Sequence, residues 1–556
     1  MSPLRSLKAN TAYRRAHWRT LGLSEEDMLK PKIAVVNSSS ELAVCYAHLD
    51  EVCKVVKEAV REAGGVPFEV RTTAPSDFIT GAARNGSYIL AGRELVTNDI
   101  EAQVEAALLD GMICLTSCDK TPPGQLMAAG RLNIPTILVI GGYQPHGKIG
   151  EEDIDVEELW IATVAETMGK PGKISAEDMS FQAIRGPGVC TGMATANTMH
   201  CVVEALGMCI PGSAPVRARS QKMFDNARAA AARIIGMVEE DLTPRKIMTK
   251  AAFKNAVATV LAVSGSINAI KHLQAVAVEC ESGVDIFALW DEMSRKVPVL
   301  TAVRPSGKVR LEAFEDAGGA AATLKRLTPV IDTSALTCTG KTLAENLKAL
   351  PDGDSEIIRP LDRPISAGPS IAILKGSLAP ESAVIKLGIR DVSRKTKFRG
   401  PAVVFDSGQE AIKAIQDGKI KRGDALVVRG MGLKGGPGMG GPASHVVFAL
   451  DSAGMQSDVA FVSDGQLSGL CNKGLTIAET SPEAAVGGPL SLVETGDMIV
   501  IDVDKHQLDV DVPAEVLARR REAKGEVKLP KSRGYLSIYQ RAVQDMHTGA
   551  VLVEEE

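Results

Sequence analysis

The feature that most constrains the fold is a change in hydrophobic patterning about two-thirds of the way along the chain. Before it, β-type runs alternate with helical patterns. Ile33–Val36 is predicted as a strand and Ala43–Ala63 as the helix that follows. Met112–Thr116 and Ile134–Ile140 are the next predicted strands, with a short helix that ends at Arg131 between them. Such alternation is typical of a parallel α/β sheet.

The last third of the chain contains short β-type runs, several of them separated by glycine-rich turns. Together they predict a β-rich, barrel-like domain. A segment rich in proline and glycine, Arg359–Pro369, precedes the runs. We therefore predict an α/β domain over residues 1–365 and a barrel-like domain over residues 366–556. The runs are Ile371–Leu374, Ala402–Phe405, Ala425–Arg429, His445–Leu450, Val459–Val462, Met498–Val503 and Gln507–Val512.

Composition excludes several classes of function. The 556 residues are 45 % hydrophobic and 24 % charged with a net charge of −5, which is typical of a soluble globular protein. Neither a nucleic-acid-binding surface nor a membrane span is predicted. Five basic residues precede the first acidic residue, Glu25, and indicate either an organelle transit peptide or a basic arm packed on the fold. We prefer the arm and expect a cytoplasmic protein. These residues are Arg5, Lys8, Arg14, Arg15 and Arg19.

Three of the ten cysteines, Cys45, Cys118 and Cys190, share one setting. Each lies between a predicted strand or loop and the start of a predicted helix, where the helix N-terminus favours thiolate over thiol. Loops at the carboxyl ends of parallel strands converge, so these thiols can meet at one iron–sulfur cluster. Three ligands would leave one iron free to act as a Lewis acid. Because the spacing is wide, three unrelated buried thiols remain an alternative.

Residues Ser117–Gly124 read Ser-Cys-Asp-Lys-Thr-Pro-Pro-Gly. This segment resembles the Cys-Asp-Lys loop of the dihydroxy-acid dehydratase and phosphogluconate dehydratase family, which includes sugar-acid dehydratases. The resemblance runs nearly end to end, in the right order, and implies an α/β domain followed by a β-barrel domain in homodimers or homotetramers. The other segments that carry it are Asn37–Leu49, Gly188–Met199, Asp464–Gly469, Ser481–Pro489 and Arg533–Leu536.

The resemblance implies a hydro-lyase. The family removes a hydroxyl from the β-carbon and a proton from the α-carbon of a small 2,3-dihydroxy acid or sugar acid, and a 2-keto acid remains. By this resemblance, Cys45, Cys118 and Cys190 hold the iron–sulfur cluster that binds the leaving hydroxyl. A two-iron cluster is favoured over a four-iron one. A magnesium ion would stabilise the enolate charge.

The resemblance also assigns the remaining site residues. Asp119 matches a magnesium ligand, and Lys120 matches a lysine that becomes an oxygen ligand through a carbamate. Asp77 matches a further carboxylate ligand, although a turn aspartate explains it almost as well. Ser468 matches the catalytic base, which would act as an alkoxide stabilised by a nearby metal. The alternative for Ser468 is a turn serine beside Gly469.

The chain departs from the family pattern at three places. Gly441 stands where the family has a glutamate ligand for magnesium. Gln466 and Leu467 replace an arginine and a phenylalanine in the serine loop. Gly81–Ala83 replaces a segment with a glycine–histidine pair. A lost carboxylate weakens magnesium binding, so the departures indicate either a different substrate or an altered or lost reaction.

Two rival functions follow from the sequence. Gly430–Gly435 matches the GxGxxG pattern of nucleotide-binding oxidoreductases, but that pattern requires a helix directly after it, and Gly436–Pro442 cannot form one. We therefore predict a flexible loop near the active site. The second rival is a non-catalytic iron–sulfur protein of the same fold, which the missing carboxylate at Gly441 favours. Two histidines, His146 and His445, are candidates to line the site.

Overall fold

The computed structural model describes residues 4–389, 394–439, 441–525 and 527–552. A four-stranded parallel sheet of order β2-β1-β3-β4 organises the first part of the chain. Three of its strands are buried along their whole length, as expected for a parallel sheet covered on both faces. The strands are β1 (Lys32–Asn37), β2 (Val66–Arg71), β3 (Gly111–Thr116) and β4 (Thr136–Ile140), and a small hairpin of β5 (Gly147–Ile149) and β6 (Glu152–Ile154) follows.

An eight-stranded sheet of order β14-β13-β9-β10-β11-β12-β8-β7 organises the last part. Strands β9 to β12 pair in parallel, and the outer pairs are antiparallel. The strands are β7 (Ile371–Leu374), β8 (Ser382–Lys386), β9 (Lys397–Phe405), β10 (Ala425–Val428), β11 (Ala460–Ser463), β12 (Thr476–Ser481), β13 (Met498–Asp502) and β14 (Gln507–Asp511).

This second sheet is nearly closed into a barrel. The N–H of Lys375, just beyond β7, donates to the carbonyl of His506 at 2.9 Å, and Leu508 on β14 donates to the carbonyl of Lys375 at 3.0 Å. Inward side chains fill the barrel, among them Leu374, Ile385 and Val427. The predicted fold class, a parallel α/β domain followed by a barrel-like β domain, is therefore confirmed. The division between residues 365 and 366 stays a prediction.

Helices surround both sheets. Among those that the structure describes, none is long and apolar enough to cross a membrane. In the first part they are α1 (Ala12–Thr20), α2 (Leu49–Glu62), α3 (Asp77–Thr80), α4 (Tyr88–Ala106), α5 (Thr121–Leu132), α6 (Val156–Thr167), α7 (Ala176–Ser180), α8 (Thr195–Ala205), α9 (Gln221–Glu239), α10 (Pro244–Ile247), α11 (Lys250–Ala262), α12 (Asn268–Glu279), α13 (Ile286–Ser294), α14 (Leu311–Asp316), α15 (Gly319–Leu327) and α16 (Leu343–Lys348). Later come α17 (Gly408–Gln416), α18 (Gly441–Ser452), α19 (Ala514–Lys524) and α20 (Tyr535–Ala542).

Short 3₁₀ helices complete the fold. They are Arg5–Ala9, Asp27–Leu29, Arg84–Gly86, Ala484–Val486, Pro489–Leu492 and Met546–Thr548.

One predicted element begins later than expected, and another is wrong. The helix predicted over Ala43–Ala63 begins only at Leu49, because side chains of the preceding turn bind elsewhere: the Tyr46 hydroxyl donates to the carbonyl of Pro75 at 2.6 Å. The strand predicted over His445–Leu450 lies inside helix α18. Most of α18 is buried, and a short apolar run does not distinguish a buried helix from a buried strand.

Candidate active site

The three cysteines lie in loops that lead into helices, as predicted. Cys45 lies in the turn before α2, Cys118 between β3 and α5, and Cys190 shortly before α8. The thiols of Cys118 and Cys45 hydrogen-bond to each other. Cys118 and Cys190 line one cavity of about 1280 Å³. The fold therefore brings the three sulfur atoms to one region.

Buried hydrogen bonds hold the three cysteine loops together. The Ser117 hydroxyl donates to the carbonyl of Cys45, and His200 Nε2 contacts the carbonyl of Ser117 at 2.9 Å. The Asn197 side-chain amide donates to the carbonyl of Cys190 at 2.7 Å. Buried polar groups that are satisfied in this way hold a loop in one conformation. The cysteine backbones are thus positioned before any ligand binds.

The prediction that these helix N-termini favour thiolate is wrong for two of the thiols. The hydrogen bond that the Cys118 thiol donates to Cys45, together with burial, raises the pKa of Cys118 well above its usual range. Burial and the nearby Glu157 and Asp119 raise the pKa of the Cys190 thiol in the same way. Acidic neighbours and desolvation therefore outweigh the helix termini.

This donor set fits an iron–sulfur cluster. A metal that binds a thiol removes its proton, and soft sulfur donors are the usual ligands of iron–sulfur centres. Buried thiols with acidic neighbours lack charge compensation that a cationic cluster iron would supply. Cys45, Cys118 and Cys190 are the residues that would hold it.

Two carboxylates and a lysine meet at the wall of the same cavity. Lys120 Nζ donates to both carboxylate oxygens of Asp77, at 2.8 and 2.9 Å, and lies 3.8 Å from Asp119 Oδ2. Lys120 is completely buried. Burial and the charge of Asp77 raise the pKa of Asp119 to about 7. The structure thus brings together the three predicted metal ligands. Asp119 and Lys120 are neighbours in sequence, whereas Asp77 comes from a distant segment.

Asp77, Asp119 and Lys120 together fit a magnesium ion only if Lys120 carries a carbamate. A divalent cation would relieve the repulsion between Asp77 and Asp119, and carboxylate oxygens are ligands that magnesium prefers. An ammonium group cannot bind a cation. Lys120 can therefore join the set only as a carbamate.

Ser468 lies in the loop after β11 and lines the cavity that Cys118 and Asp119 also line. Its N–H donates to Ser444 Oγ at 2.8 Å, and its own Oγ accepts from the N–H of Leu470 at 3.3 Å. The second contact is also what a turn serine makes. Its place on the cavity wall is what distinguishes Ser468 from an ordinary turn residue.

Two functional candidates were missed from the sequence. Glu157, at the start of α6, lines the cavity with only 5 % of its surface exposed, and its Oε1 has no hydrogen-bond partner among the described residues. Burial, with the charge of Asp155, raises the pKa of Glu157 to about 8. It resembles an ordinary helix-start acid in sequence, beside the capping box of Asp155 and Glu158.

The other missed residue is Lys386, at the end of β8. It is 1 % exposed, and its Nζ donates to the carbonyl of Gly469, next to Ser468, at 3.0 Å. Burial lowers the pKa of Lys386 to about 8, while the charge of Glu157 acts in the opposite direction. Only the three-dimensional pairing of β8 with β12 places this lysine behind the serine loop.

The residues that depart from the family pattern form two groups, one on the cavity wall and one buried in the serine loop. Gly81, Ala82 and Gly441 line the cavity. Gln466 and Leu467 are each 1 % exposed, and neither amide atom of Gln466 has a partner within the part of the chain that the structure describes. The first three changes therefore alter the cavity, whereas the last two alter the support of the serine loop.

The glycine-rich loop after β10 lines the cavity, as predicted, although Gly440 lies outside the described residues. Its N–H groups are already bound: Gly430 and Met431 donate to Asp464, and Lys434 donates to Glu483 Oε1 at 2.7 Å. Helix α18 begins at Gly441, so the prediction of a loop is wrong for Gly441 and Pro442, which form the first turn of this helix. A pyrophosphate would find these donors occupied by carboxylates, which disfavours the nucleotide-binding rival.

Of the two candidate histidines, one reaches the site. His445 lines the cavity and accepts a hydrogen bond from Trp160 Nε1 at 2.8 Å. His146 Nδ1 instead contacts Glu312 at 2.8 Å, and its Nε2 lies 3.3 Å from Asp153. His146 is therefore part of a separate charged group.

Comparison with known proteins identifies two consecutive family matches. Residues 30–346 match the N-terminal domain of the dihydroxy-acid/6-phosphogluconate dehydratases, and residues 356–550 match their C-terminal domain. The chain is 42 % identical to the dihydroxy-acid dehydratase of Ignicoccus hospitalis over 98 % of both chains. It is 39 % identical to dihydroxy-acid dehydratase 1 of Methanosarcina acetivorans, over 97 % of this chain and 98 % of the relative. It is 38 % identical to the dihydroxy-acid dehydratase of Caldicellulosiruptor saccharolyticus over the same shares.

Proposed function

The chain belongs to the dihydroxy-acid/6-phosphogluconate dehydratase family and is a hydro-lyase, and from this premise we propose that it dehydrates a 2,3-dihydroxy acid or sugar acid to a 2-keto acid. One observation carries the proposal. Cys118 and Asp119, Cys190, and Ser468, which come from three separate loops, line a single cavity. That cavity brings together soft ligands, hard ligands and a candidate base, which this dehydration requires.

The proposed cofactors are an iron–sulfur cluster and a magnesium ion. Cys45, Cys118 and Cys190 would hold the cluster, which we propose to be of the two-iron type, and Asp77, Asp119 and carbamylated Lys120 would hold the magnesium. When bound, these groups would supply Lewis acidity for departure of the hydroxyl and for the negative charge of the enolate. The assembly is proposed to be a homodimer or homotetramer.

The chain's own residues would handle the protons. Ser468 Oγ would take the α-proton, and as an alkoxide it would be stabilised by the Leu470 N–H that already points at it. Lys386 holds the carbonyl of the next residue, Gly469, and places a buried positive charge behind the loop. Glu157 lies on the wall near Cys190 and Asp119, and its raised pKa of about 8 makes it a group that can carry a proton there.

The experiment that tests the proposal is a 2-keto acid assay on protein prepared without oxygen and loaded with iron, sulfide and magnesium. We expect a 2-keto acid from at least one member of a panel of 2,3-dihydroxy acids and aldonic acids. Protein that carries a full cluster yet converts no member would instead support the alternative, a non-catalytic or altered-reaction iron–sulfur protein of the same fold.

Replacing Asp119 with asparagine should weaken magnesium binding by roughly 10- to 100-fold, because one charged oxygen ligand is lost. The measurement is the affinity for Mn²⁺, used in place of magnesium and followed by its paramagnetic resonance signal. Asp451→Asn is the matched control, since Asp451 pairs with Lys473 on the surface. Equal Mn²⁺ affinity in the two variants would remove Asp119 from the metal site.

Lys386→Met should lower kcat by roughly 10- to 100-fold with little change in KM, because a hydrogen bond from a charged donor contributes about 1.5–3 kcal/mol. Lys386 acts through the serine loop and is a positioning residue. Lys386→Arg, which keeps the charge, should recover part of kcat, and cluster content should not change in either variant. A loss of kcat that tracks loss of folded protein would show that Lys386 is only structural.

A further inference from the structure

One wall of the cavity is aromatic. Trp160 and His445 line it with ring centroids 5.5 Å apart, and Phe78 packs edge-on against Trp160 at 5.8 Å and an interplanar angle of 83°. Phe448 supports Trp160 from behind at 5.0 Å. Phe78 lines the cavity too and is 46 % exposed. A large ring surface therefore faces the space in which a substrate would lie.

Two polar atoms of this wall, one on Trp160 and one on His445, bind each other. Trp160 Nε1–H donates to His445 Nε2 at 2.8 Å, so the tryptophan presents carbon atoms to the cavity. Hydroxyl groups placed against such a surface lose hydrogen bonds with water and gain few in return. A second ring can instead pack on it in the offset or edge-on arrangement that aromatic pairs prefer. The wall thus favours an apolar substituent over a polyhydroxylated chain.

The wall adjoins the proposed reaction centre. Glu157 and Trp160 are three residues apart on α6, so they lie on the same side of that helix. Phe78 directly follows Asp77. The cavity is therefore polar toward Asp119 and the cysteines and aromatic beyond them. A hydroxy acid whose carboxylate binds at the proposed magnesium site of Asp77 and Asp119 would have room for the substituent on its third carbon beside Trp160.

Small residues leave room beside the wall. A Cβ atom at Gly441 would have His445 Cε1 at 3.9 Å and Trp160 Cζ2 at 4.0 Å as its nearest neighbours, so a substrate group fits there. Gly81 and Ala82 line the cavity as well. The cluster and the magnesium ion would occupy part of this cavity, and the space beside Gly441 remains for a substituent of the substrate.

From these contacts we infer that the preferred substrate is a 2,3-dihydroxy acid with an aromatic ring attached at its third carbon. The inference names the substrate class for the dehydration proposed above and rests on that function. Arg84, Lys531 and Arg533 also line the cavity. They are exposed, and their charge would attract the substrate carboxylate. The competing interpretation is that these cations bind a second acidic group at the far end of a different substrate.

Binding can be measured without turnover. Three analogues that lack the 3-hydroxyl cannot be dehydrated: 2-hydroxy-3-phenylpropanoate, 2-hydroxy-3-methylbutanoate and a 3-deoxypentonate. Of the three tryptophans, Trp160 lines the cavity, whereas Trp18 and Trp290 are 4 % and 0 % exposed in the core. Quenching of tryptophan fluorescence on holoenzyme should give at least tenfold tighter binding of the phenyl analogue than of either other acid.

Phe78→Ala tests the wall itself, with affinities measured by calorimetry. It should reduce the ratio of phenyl to short branched affinity at least fivefold. Phe181→Ala is the matched control, because Phe181 is 68 % exposed and does not line the cavity. Equal affinity for the three analogues, or tightest binding of the deoxypentonate or of a 3-deoxy sugar acid phosphate, would overturn the inference.

The two proposals fail in different ways. Tight binding of the phenyl analogue without turnover of any dihydroxy acid would support the aromatic site and contradict dehydration. Turnover with a preference for pentonates or short branched acids would support dehydration and contradict the aromatic site.

Discussion

Replacement of Cys118 by serine is expected to abolish the visible absorption of the iron–sulfur cluster and to lower 2-keto acid formation by about 10³-fold or more. Cys118 lies against Cys45 and lines the cavity with Cys190. A serine oxygen is a hard ligand that holds iron–sulfur centres poorly, and its hydroxyl is far harder to deprotonate than a thiol. Loss of the Lewis acid would leave hydroxide as a poor leaving group, and several kcal/mol of transition-state stabilisation would disappear.

Cys114→Ser is the matched control for this experiment. Cys114 lies on β3, the strand that leads to Cys118, and is fully buried. Burial alone raises the pKa of its thiol. This variant should lose about 1–3 kcal/mol of stability from the buried hydroxyl and keep its spectrum. An unchanged spectrum in Cys118→Ser, measured beside this control, would contradict the ligand assignment.

Replacement of Ser468 by alanine is expected to leave the cluster spectrum intact while turnover falls by roughly 10²- to 10⁴-fold, the usual contribution of a positioned base. Ser468 is half-buried on the cavity wall, and its Oγ is fixed by the Leu470 N–H. Alanine removes this oxygen and otherwise preserves the loop. The measurements are iron content, the visible spectrum and the rate of 2-keto acid formation on the same preparation.

Ser444→Ala provides the comparison for Ser468→Ala. Ser444 Oγ accepts the Ser468 N–H at 2.8 Å and lies outside the cavity lining, so it positions the serine loop. Losing one neutral hydrogen bond should cost about 0.5–1.5 kcal/mol, or roughly a 2- to 12-fold loss of rate. Normal turnover in Ser468→Ala would exclude this serine as the base. Equal losses in the two variants would indicate that the loop conformation alone matters.

The order of helices and strands along the chain was predictable because each element has its own hydrophobic periodicity, which depends only on neighbouring residues. Parallel strands place their carboxyl ends on one edge, so Cys118 after β3 and Cys45 after β1 were expected to meet. The boundaries of α2 were not predictable, because the turn before it is fixed by contacts with Pro75 and Gly141. These contacts lie far away in sequence.

Residues whose role depends on distant partners could not be found from the sequence. Lys386 ends an ordinary strand, and only the pairing of β8 with β12 puts its ammonium behind Ser468. Trp160 is one apolar residue of a helix, and its neighbour His445 comes from a segment that was predicted as a strand. Helix α18 turns that segment toward the cavity and creates the aromatic wall.

The missing carboxylate at Gly441 has a different meaning in the structure than in the sequence. The sequence alone indicated weaker magnesium binding or a lost reaction. In the structure, Gly441 faces Trp160 and His445, so its lack of a side chain also enlarges the aromatic end of the cavity. Asp77 and Asp119 still face each other beside Lys120. A changed substrate, as inferred above, would account for this departure without loss of the reaction.

The most direct test of the three-cysteine site is the amount of iron and acid-labile sulfide per chain in protein purified without oxygen. We expect about two irons with matching sulfide, held by Cys45, Cys118 and Cys190. Absence of iron and sulfide, even after reconstitution with both, would contradict the three-cysteine site and with it the proposed dehydration.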